Sequence, residues 1–244
     1  MSLLNFNKLL PAFLMLFSLL FQLACSNSEK EDPPENTPSG KTEDVKISIT
    51  DQKIFGIQSG IIEYEITGSQ MGSKKLYFTD WGRKQAEFSN STITVGKFSK
   101  HSTLLKITNG DWQYIINLEK KTGTKRENPI LEKMYKLSNQ INYNEFGEQL
   151  VLIEGGVKTG SEDVAGKNCT VYNFQNKKSK SWIWNWITHK SESLSGGVHI
   201  TVTAKNIAEN ISVPDSVFNP PLDIMVIEVD LQDLRRQTSV DHLL

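Results

Sequence analysis

Four histidines and one pair of glutamates are the residues of this chain whose types could support catalysis or metal binding. Glu63 and Glu65 share one face of a predicted strand, where they form either a catalytic carboxylate pair or, more simply, part of a solvated outer face. No histidine has a cysteine or carboxylate at the spacing of metal ligands, so we interpret all four as surface or strand residues. The histidines are His101, His189, His199 and His242.

Motifs for covalent catalysis or phosphate binding are also missing from the sequence. It has no Gly-x-Ser-x-Gly elbow, no Cys–His pairing signal and no phosphate-binding glycine loop. The pairs Gly155-Gly156 and Gly196-Gly197 are typical of turns. With 27 Lys and Arg against 28 Asp and Glu, the net charge is −1, which argues against a nucleic-acid partner. We therefore expect a non-enzymatic protein that needs no cofactor and no metal.

Three tryptophans, Trp182, Trp184 and Trp186, follow one another at every second position. This spacing predicts that their indole rings form a stripe on one face of a strand. Facing inward, the stripe would be core or the wall of a pocket; facing outward, it would be a platform for sugar rings or a docking patch. Asn185 and His189 on the opposite face suit solvent, which favours the inward orientation.

Cys25 stands at the end of a signal-like N-terminal segment. Lys8 precedes an apolar run, Leu9–Leu20, that is too short to span a membrane and leads to Leu23-Ala24-Cys25. These residues resemble the bacterial lipoprotein box, although Gln22 departs from its usual aliphatic residue. The resemblance implies that residues 1–24 are removed and that acyl chains on Cys25 anchor the protein in the outer membrane.

The residues after Cys25 indicate where the rest of the protein lies. Lys30-Glu31-Asp32 is similar to a signal that sends lipoproteins to the cell surface; otherwise it belongs to a solvated tether, and the periplasmic face is the alternative. Residues 25–46 are rich in proline and acids and predict a disordered tether. A single domain is expected over residues 47–230, with a frayed tail at 231–244. Cys169 would lack a disulfide partner and should be buried.

Antiparallel strands are predicted over most of the domain, because apolar residues alternate with polar ones. Ile62, Tyr64 and Ile66 share one face, for example, and turn residues recur too often for crossover helices. Asn109-Gly110 predicts a two-residue hairpin turn with positive φ at both residues. In total we expect about nine to eleven strands.

Two helices interrupt this pattern. Asn128 and Pro129 predict the start of one helix, which continues to about Ile141. A second helix is predicted from about Asn144 to Ile153, burying Phe146, Leu150 and Ile153 before Gly155-Gly156 ends it.

The second half of the chain resembles the LolA-like proteins, a superfamily of lipoprotein carriers and sorting proteins. The similarity rests on three segments: Val164–Tyr172, the aromatic strand Trp182–Trp186, and Ile211–Pro220 with its phrase Pro214-Asp215-Ser216-Val217-Phe218-Asn219-Pro220. The resemblance implies a mainly β fold, an open antiparallel half-barrel with one helical lid insertion over Ile130–Ile153.

Such a half-barrel would hold a lipid or another hydrophobic ligand in its concave side. Ordinary core packing of the lid is the simpler interpretation of the same apolar residues. A surface adhesion module that binds a glycan or a partner protein through exposed aromatics is the alternative function. The residues predicted to contact a ligand are Trp112, Tyr114, Met134, Leu137, Phe146, Leu150, Trp182, Trp184 and Trp186.

Overall fold

Twelve β-strands and one α-helix make up the part of the chain that the structure, a computed structural model, describes: residues 53–129 and 143–229. These residues all belong to one structural unit. The helix is α1 (Tyr143–Ile153). The strands are β1 (Gly60–Gly68), β2 (Gln70–Thr79), β3 (Lys84–Val95), β4 (Phe98–Asn109), β5 (Trp112–Asn117), β6 (Thr122–Glu127), β7 (Gly156–Val164), β8 (Lys167–Phe174), β9 (Ser179–Trp184), β10 (Ile187–Ser195), β11 (Val198–Glu209) and β12 (Met225–Glu228).

All twelve strands belong to one open sheet, in the order β12-β6-β5-β4-β3-β2-β1-β11-β10-β9-β8-β7. Neighbours are antiparallel except for β12, which pairs with β6 in parallel. The sheet is not closed into a barrel, so the predicted mainly β, open antiparallel class is confirmed. The expected nine to eleven strands were too few, because β6 and β7 carry little apolar alternation in their sequences.

Tight hairpin turns connect most of these strands. Gly196 and Gly197 both have positive φ, 57° and 82°, as the predicted turn between β10 and β11 requires. The Asn109-Gly110 turn was predicted one residue too early. Asn109 is the last residue of β4, where it pairs with Trp112, and the turn consists of Gly110 and Asp111. Of these two residues only Gly110, at 58°, has positive φ.

Cross-strand pairing defines the two faces of the sheet, because directly paired residues lie on the same side. The face that we call the Phe218 face carries the paired series Glu63, Lys75, Phe88, Leu105 and Ile116. The opposite face, the Lys106 face, carries the series Ile62, Leu76, Glu87, Lys106 and Ile115.

The alternation predicted for β1 is confirmed by burial. Ile62, Tyr64 and Ile66 lie on the Lys106 face and are 5% exposed or less. Glu63 and Glu65 lie on the opposite face and are not buried. Cys169, on the Phe218 face of β8, is a free and fully buried cysteine, as predicted.

A 3₁₀ turn at Asp215–Phe218 packs onto the face that we name after its last residue. Phe218 is fully buried against Ala86, Leu105, Ile107 and Ile116. The Asn109 side-chain amide donates a hydrogen bond of 3.2 Å to the Phe218 carbonyl. The Pro214–Pro220 phrase therefore has a packing role, since it covers the apolar residues of β3, β4 and β5.

Helix α1 agrees with the second predicted helix in position but not in all of its buried residues. Gly155, with φ of 80°, follows its C-terminus, and Leu150 and Val151 are buried. Ile153 is 52% exposed, so its predicted burial was wrong, since it lies at the last, solvent-facing position of the helix. The first predicted helix lies outside the described residues except for its predicted N-cap Asn128 and Pro129. Within residues 53–129 and 143–229, no helix has the length and apolar character needed to cross a membrane.

Candidate ligand-binding face

The Lys106 face combines a broad apolar area with a neighbouring polar cluster. The apolar area occupies the centre of the sheet, on β1, β2 and β11, where every member is buried. Its residues are Ile62, Tyr64, Ile66, Leu76, Phe78, Val198, Ile200, Val202 and Ala204.

On the same face, β9 and β10 carry serines where β1, β2 and β11 carry large apolar side chains. Ser179 pairs with Ser193, and Ser181 pairs with Ser191, directly beside the apolar residues of β11. Ser179 and Ser181 are buried, and no group within hydrogen-bonding distance satisfies the Ser179 hydroxyl in the described part of the chain. Four short side chains therefore stand together on this part of the face.

The polar cluster spans five neighbouring strands at the other end of the apolar area. Lys74 Nζ lies 3.1 Å from Glu87 Oε2, and Glu87 pairs directly with Lys106 across β3 and β4. Arg126 donates two hydrogen bonds to the Gln113 side-chain oxygen, one from Nε at 2.9 Å. We call Lys74, Glu87, Lys106, Gln113 and Arg126 the Lys106 cluster.

Burial and mutual repulsion shape the electrostatics of this cluster. Desolvation by burial lowers the pKa of Lys106, and the charges of Arg126 and Lys74 lower it further, against the opposing effect of Glu87. The pKa of Arg126 is lowered by burial. Burial alone would raise the pKa of Glu87, but the charges of Lys74 and Lys106 together hold it below its ordinary value. The carboxylate is therefore ionised at neutral pH.

The predicted aromatic ligand contacts on strands lie on the other side of the sheet. Trp112 and Tyr114 follow Leu105 and Ile107 across β4 and β5, which places them on the Phe218 face. Trp182 lies on the same face, because it pairs with Lys190, which pairs with Thr203, which in turn pairs with Glu65. Tyr114 packs against Phe218 and the buried residues beneath it, whereas Trp182 and Trp184 pack with Val164, Cys169 and Val171 in a second core. Their role in ligand binding stays a prediction.

The stripe of three indoles was wrong for Trp186. Strand β9 ends at Trp184, and Asn185 and Trp186 form the two-residue turn that leads into β10, with φ of 48° and 61°. Two positive φ values in a non-glycine pair are rarely signalled by sequence, and here they override the period-two pattern. Trp186 instead lies beside Gly147 of α1, where a Cβ atom would clash with its ring.

Lysine side chains cover the indole rings on the Phe218 face. Lys125 Nζ lies 3.4 Å from the Trp112 ring centroid, and Lys167 Nζ lies 4.3 Å from that of Trp184. Trp182 has two such neighbours, Lys180 at 4.5 Å and Lys190 at 4.0 Å. A sugar ring needs an open indole face for stacking, so this arrangement does not favour the glycan-binding alternative.

The remaining predicted site residues belong to the lid and the anchor. Met134, Leu137 and Cys25 lie outside the described residues, as does the side chain of Phe146. Leu150 is buried in α1. Its neighbour Val151 packs beside Gly156 and Phe174, and Phe174 pairs with Ser179 on the Lys106 face. The helix therefore approaches the face opposite to that of Trp112 and Trp182.

Glu63 and Glu65 line an open groove of about 600 Å³ on the Phe218 face. Glu63 accepts hydrogen bonds from Lys75, at 2.8 Å, and from Asn206, at 3.0 Å. These bonds lower the pKa of the Glu63 carboxyl group. Glu65 pairs with Lys205 at 2.8 Å. Each carboxylate thus has its own cationic partner, as expected for a solvated outer face.

His189 corrects the prediction for this histidine, because it is fully buried instead of facing solvent. It lies in a β-bulge between Thr188 and Lys190, which turns it out of the regular alternation. Burial lowers its pKa to about 4. Neither ring nitrogen has a hydrogen-bond partner within the described residues. Also within residues 53–129 and 143–229, no three His, Cys, Asp or Glu side chains are placed to hold a metal ion.

Comparisons with known proteins give only distant structural likenesses. No protein-family model and no curated protein matches the sequence. A structure of an uncharacterized conserved protein from Thermus thermophilus is 8% identical, with a TM-score of 0.45, over 70% of this chain and 91% of the other. PNGF-II is 12% identical, with a TM-score of 0.41, over 73% of this chain and 32% of its own. MucB is 10% identical, with a TM-score of 0.36, over 70% and 60% respectively. Likenesses at this level assign the chain to no family.

The polar cluster is the part of the site that sequence reasoning missed. Lys106 and Thr108 alternate with the buried residues Leu105 and Ile107, and such positions are ordinarily solvated. One available signal was that Lys106 falls between Leu105 and Ile107 in a strand that has a neighbour on each side. Because β4 lies between β3 and β5, polar side chains on one of its faces can be buried just as the apolar side chains on the other face are.

Proposed function

We propose that this chain is a non-enzymatic, acylated lipoprotein of the bacterial outer membrane that binds an elongated hydrophobic molecule on the Lys106 face. The observation that carries the binding proposal is the continuity of this face. A buried apolar area on β1, β2 and β11 runs from the serine positions of β9 and β10 to the Lys106 cluster. Apolar sites with a few placed polar groups are the usual form of small-molecule binding sites.

The resemblance to LolA-like proteins points in the same direction, since it implies a hydrophobic ligand held against an open sheet. We propose that the protein is anchored in the membrane because Leu23-Ala24-Cys25, preceded by an apolar run, resembles a lipoprotein signal. Two or three acyl chains on Cys25 would hold the protein at the membrane, where hydrophobic ligands are concentrated. Surface exposure, indicated by Lys30-Glu31-Asp32, is part of the same proposal.

Ligand binding can be tested with a bulky substitution at one of the paired serines. The variant Ser181→Phe places a large ring on the Lys106 face, whereas Ser73→Phe makes the same change at an exposed position of β2 on the Phe218 face. Native mass spectrometry and displacement of a fluorescent fatty acid from the full chain are the measurements. We expect Ser181→Phe to weaken binding at least about tenfold, and Ser73→Phe to bind as the unmodified chain does.

Failure of the unmodified chain to bind any fatty acid would refute the ligand-binding proposal, whatever the variants do. Equal weakening by both variants would refute the location. Circular dichroism of Ser181→Phe checks that the fold is retained; if it is not, the smaller Ser181→Val serves the same purpose.

The anchor has its own test. Cells that express the full chain are grown with labelled palmitate, and the chain is recovered from the membrane fraction. We expect label in the unmodified chain and none in Cys25→Ser, with Cys169→Ser labelled normally, because Cys169 is buried and free. An unlabelled native chain would refute the membrane part of the proposal and leave the fold and the ligand-binding face unaffected.

A further inference from the structure

The Lys106 cluster carries an excess of positive charge on a partly desolvated surface. Lys74 and Lys106 are cations and Glu87 is an anion, so these three members together carry a net charge of about +1. Lys74 and Glu87 are 17% and 30% exposed, so the cluster is accessible without being fully solvated. An excess charge in such surroundings attracts a counter-charge more strongly than one in open solvent.

Lys106 is the cation whose charge is least compensated. The nearest carboxylate, Glu87, forms its ion pair with Lys74, and no carboxylate of the described residues lies within 4.0 Å of the Lys106 amine. The Gln113 oxygen already accepts two hydrogen bonds from Arg126. The desolvated ammonium group of Lys106 therefore has donors to offer to an incoming anion.

Apolar residues adjoin Lys106 on the same face. Ile115 pairs directly with Lys106, and Leu76 pairs with Glu87 and then with Ile62 of the central apolar area. One molecule that lies on this face would thus place an apolar body over β1 and β2 and an end group at β4. A neutral or cationic end group would leave the excess positive charge uncompensated or would increase it.

We propose that the Lys106 cluster binds the anionic end group, a carboxylate or a phosphate, of the hydrophobic ligand, with Lys106 in direct contact and Lys74 and Arg126 beside it. This inference rests on the proposed ligand-binding function and names the chemical class of the ligand, an anionic amphiphile. Carboxylate and phosphate share the oxygen acceptors that ammonium and guanidinium groups bind best. The structure gives no preference between them, so the experiment distinguishes the two.

Isothermal titration calorimetry of the full chain with three ligands of equal chain length provides the test. The ligands are decanoate, decyl phosphate and decanol, each below its aggregation limit and at low salt. We expect at least one of the anionic ligands to bind about tenfold or more tightly than decanol, because one charge-assisted hydrogen bond has about that effect. A preference between decanoate and decyl phosphate identifies a fatty acid or a phospholipid-like molecule as the source of the anion.

The variant Lys106→Gln removes the charge and keeps most of the side-chain length. We expect it to bind the preferred anion about tenfold more weakly and to bind decanol as before. Lys97→Gln is the matched control, because it removes the same charge from the exposed turn between β3 and β4. Its affinities should equal those of the unmodified chain.

Equal affinities for all three ligands, unchanged in Lys106→Gln, would overturn the inference and leave the proposed hydrophobic binding intact. Binding of none of the three would instead refute the proposed function itself. If Lys106→Gln fails to fold, the ranking of the three ligands on the unmodified chain decides alone, since only an anion site separates decanoate and decyl phosphate from decanol.

Discussion

Two apolar cores lie on the Phe218 face, and they are closed in different ways. The first, which we call the Phe218 core, consists of Ala86, Leu105, Ile107, Ile116 and Phe218. A distant part of the chain closes it, since Phe218 belongs to a 3₁₀ turn that follows β11. An ion pair of 2.7 Å between Lys84 and Asp215 holds the same turn from outside.

The second core, the Trp182 core, consists of Val164, Cys169, Val171 and Trp182. Polar and charged groups complete it: the Trp182 indole N–H donates to the Glu162 carboxylate at 2.8 Å, and two lysines lie over the ring. His189 contacts this core through the partly buried Trp184, with ring centroids 5.4 Å apart.

The difference shows how one sheet face can be covered by two kinds of physical interaction. Burial of apolar area closes the Phe218 core, so its stability should depend on side-chain volume and little on pH. The Trp182 core contains a buried thiol and lies next to the buried His189, and burial raises the pKa of the Cys169 thiol to about 11. Its stability should therefore respond to protonation.

The largest effect is expected from Phe218→Ala. Removing a fully buried phenyl ring opens a cavity between the 3₁₀ turn and the sheet, which typically costs about 3–5 kcal/mol in the free energy of unfolding. Urea unfolding followed by circular dichroism measures the change. Ser216→Ala, at an exposed position of the same turn, should cost less than about 0.5 kcal/mol.

Hydrogen exchange then locates the effect of Phe218→Ala. We expect amide protection to fall most in β4 and β5, beneath the 3₁₀ turn, and least in β8 and β9. A uniform loss of protection across both regions would mean that the two cores unfold as one unit, and the distinction between them would not hold.

Much of the fold was predictable because strand alternation reports directly on burial. The faces of β1 and the antiparallel pairing follow from period-two patterns and turn residues, and α1 ends at the predicted glycines. The open half-barrel was implied by the family resemblance, and the burial of Cys169 was predicted because it lacks a disulfide partner. The Pro214–Pro220 phrase stood out in the sequence, but its role as a cover for the Phe218 core required the structure, because the contact joins residues far apart in sequence.

The errors have a common physical origin in local backbone irregularity. The positive φ of Trp186 removes it from the strand, and the bulge before Lys190 turns His189 inward. Both changes alter which face a residue occupies, and neither has a compositional signal. The Lys106 cluster was missed for a different reason: a polar residue in a central strand looks like a solvated one until the pairing across five strands is known.

A smaller, pH-dependent effect is expected from His189. This effect distinguishes the Trp182 core, which His189 adjoins, from the Phe218 core. Lys167 and Glu209 face this histidine with opposite charges and form an ion pair with each other, and burial remains the largest cause of its lowered pKa. The folded-state pKa of about 4 lies below the ordinary value of about 6.5. Between these values the unfolded chain binds the proton and the folded chain does not, so the free energy of unfolding decreases as the pH falls.

From pH 7 to pH 5, His189 should remove about 1–2 kcal/mol from the free energy of unfolding. His189→Leu should lack this component and therefore lose less stability than the unmodified chain over the same interval, as measured by urea unfolding at both pH values. Carboxylates with lowered pKa, such as Glu63, weaken both proteins equally as the pH falls, so the difference between the proteins isolates His189.

The exposed His199 on β11 provides the matched control, and His199→Leu should follow the unmodified chain at both pH values. Hydrogen exchange at pH 5 adds the location: protection should fall in β8, β9 and β10, next to His189, while β4 and β5 keep theirs. If His189→Leu loses as much stability as the unmodified chain, the buried imidazole does not sense pH. In that case the Trp182 core, despite its polar partners, is held together by apolar burial in the same way as the Phe218 core.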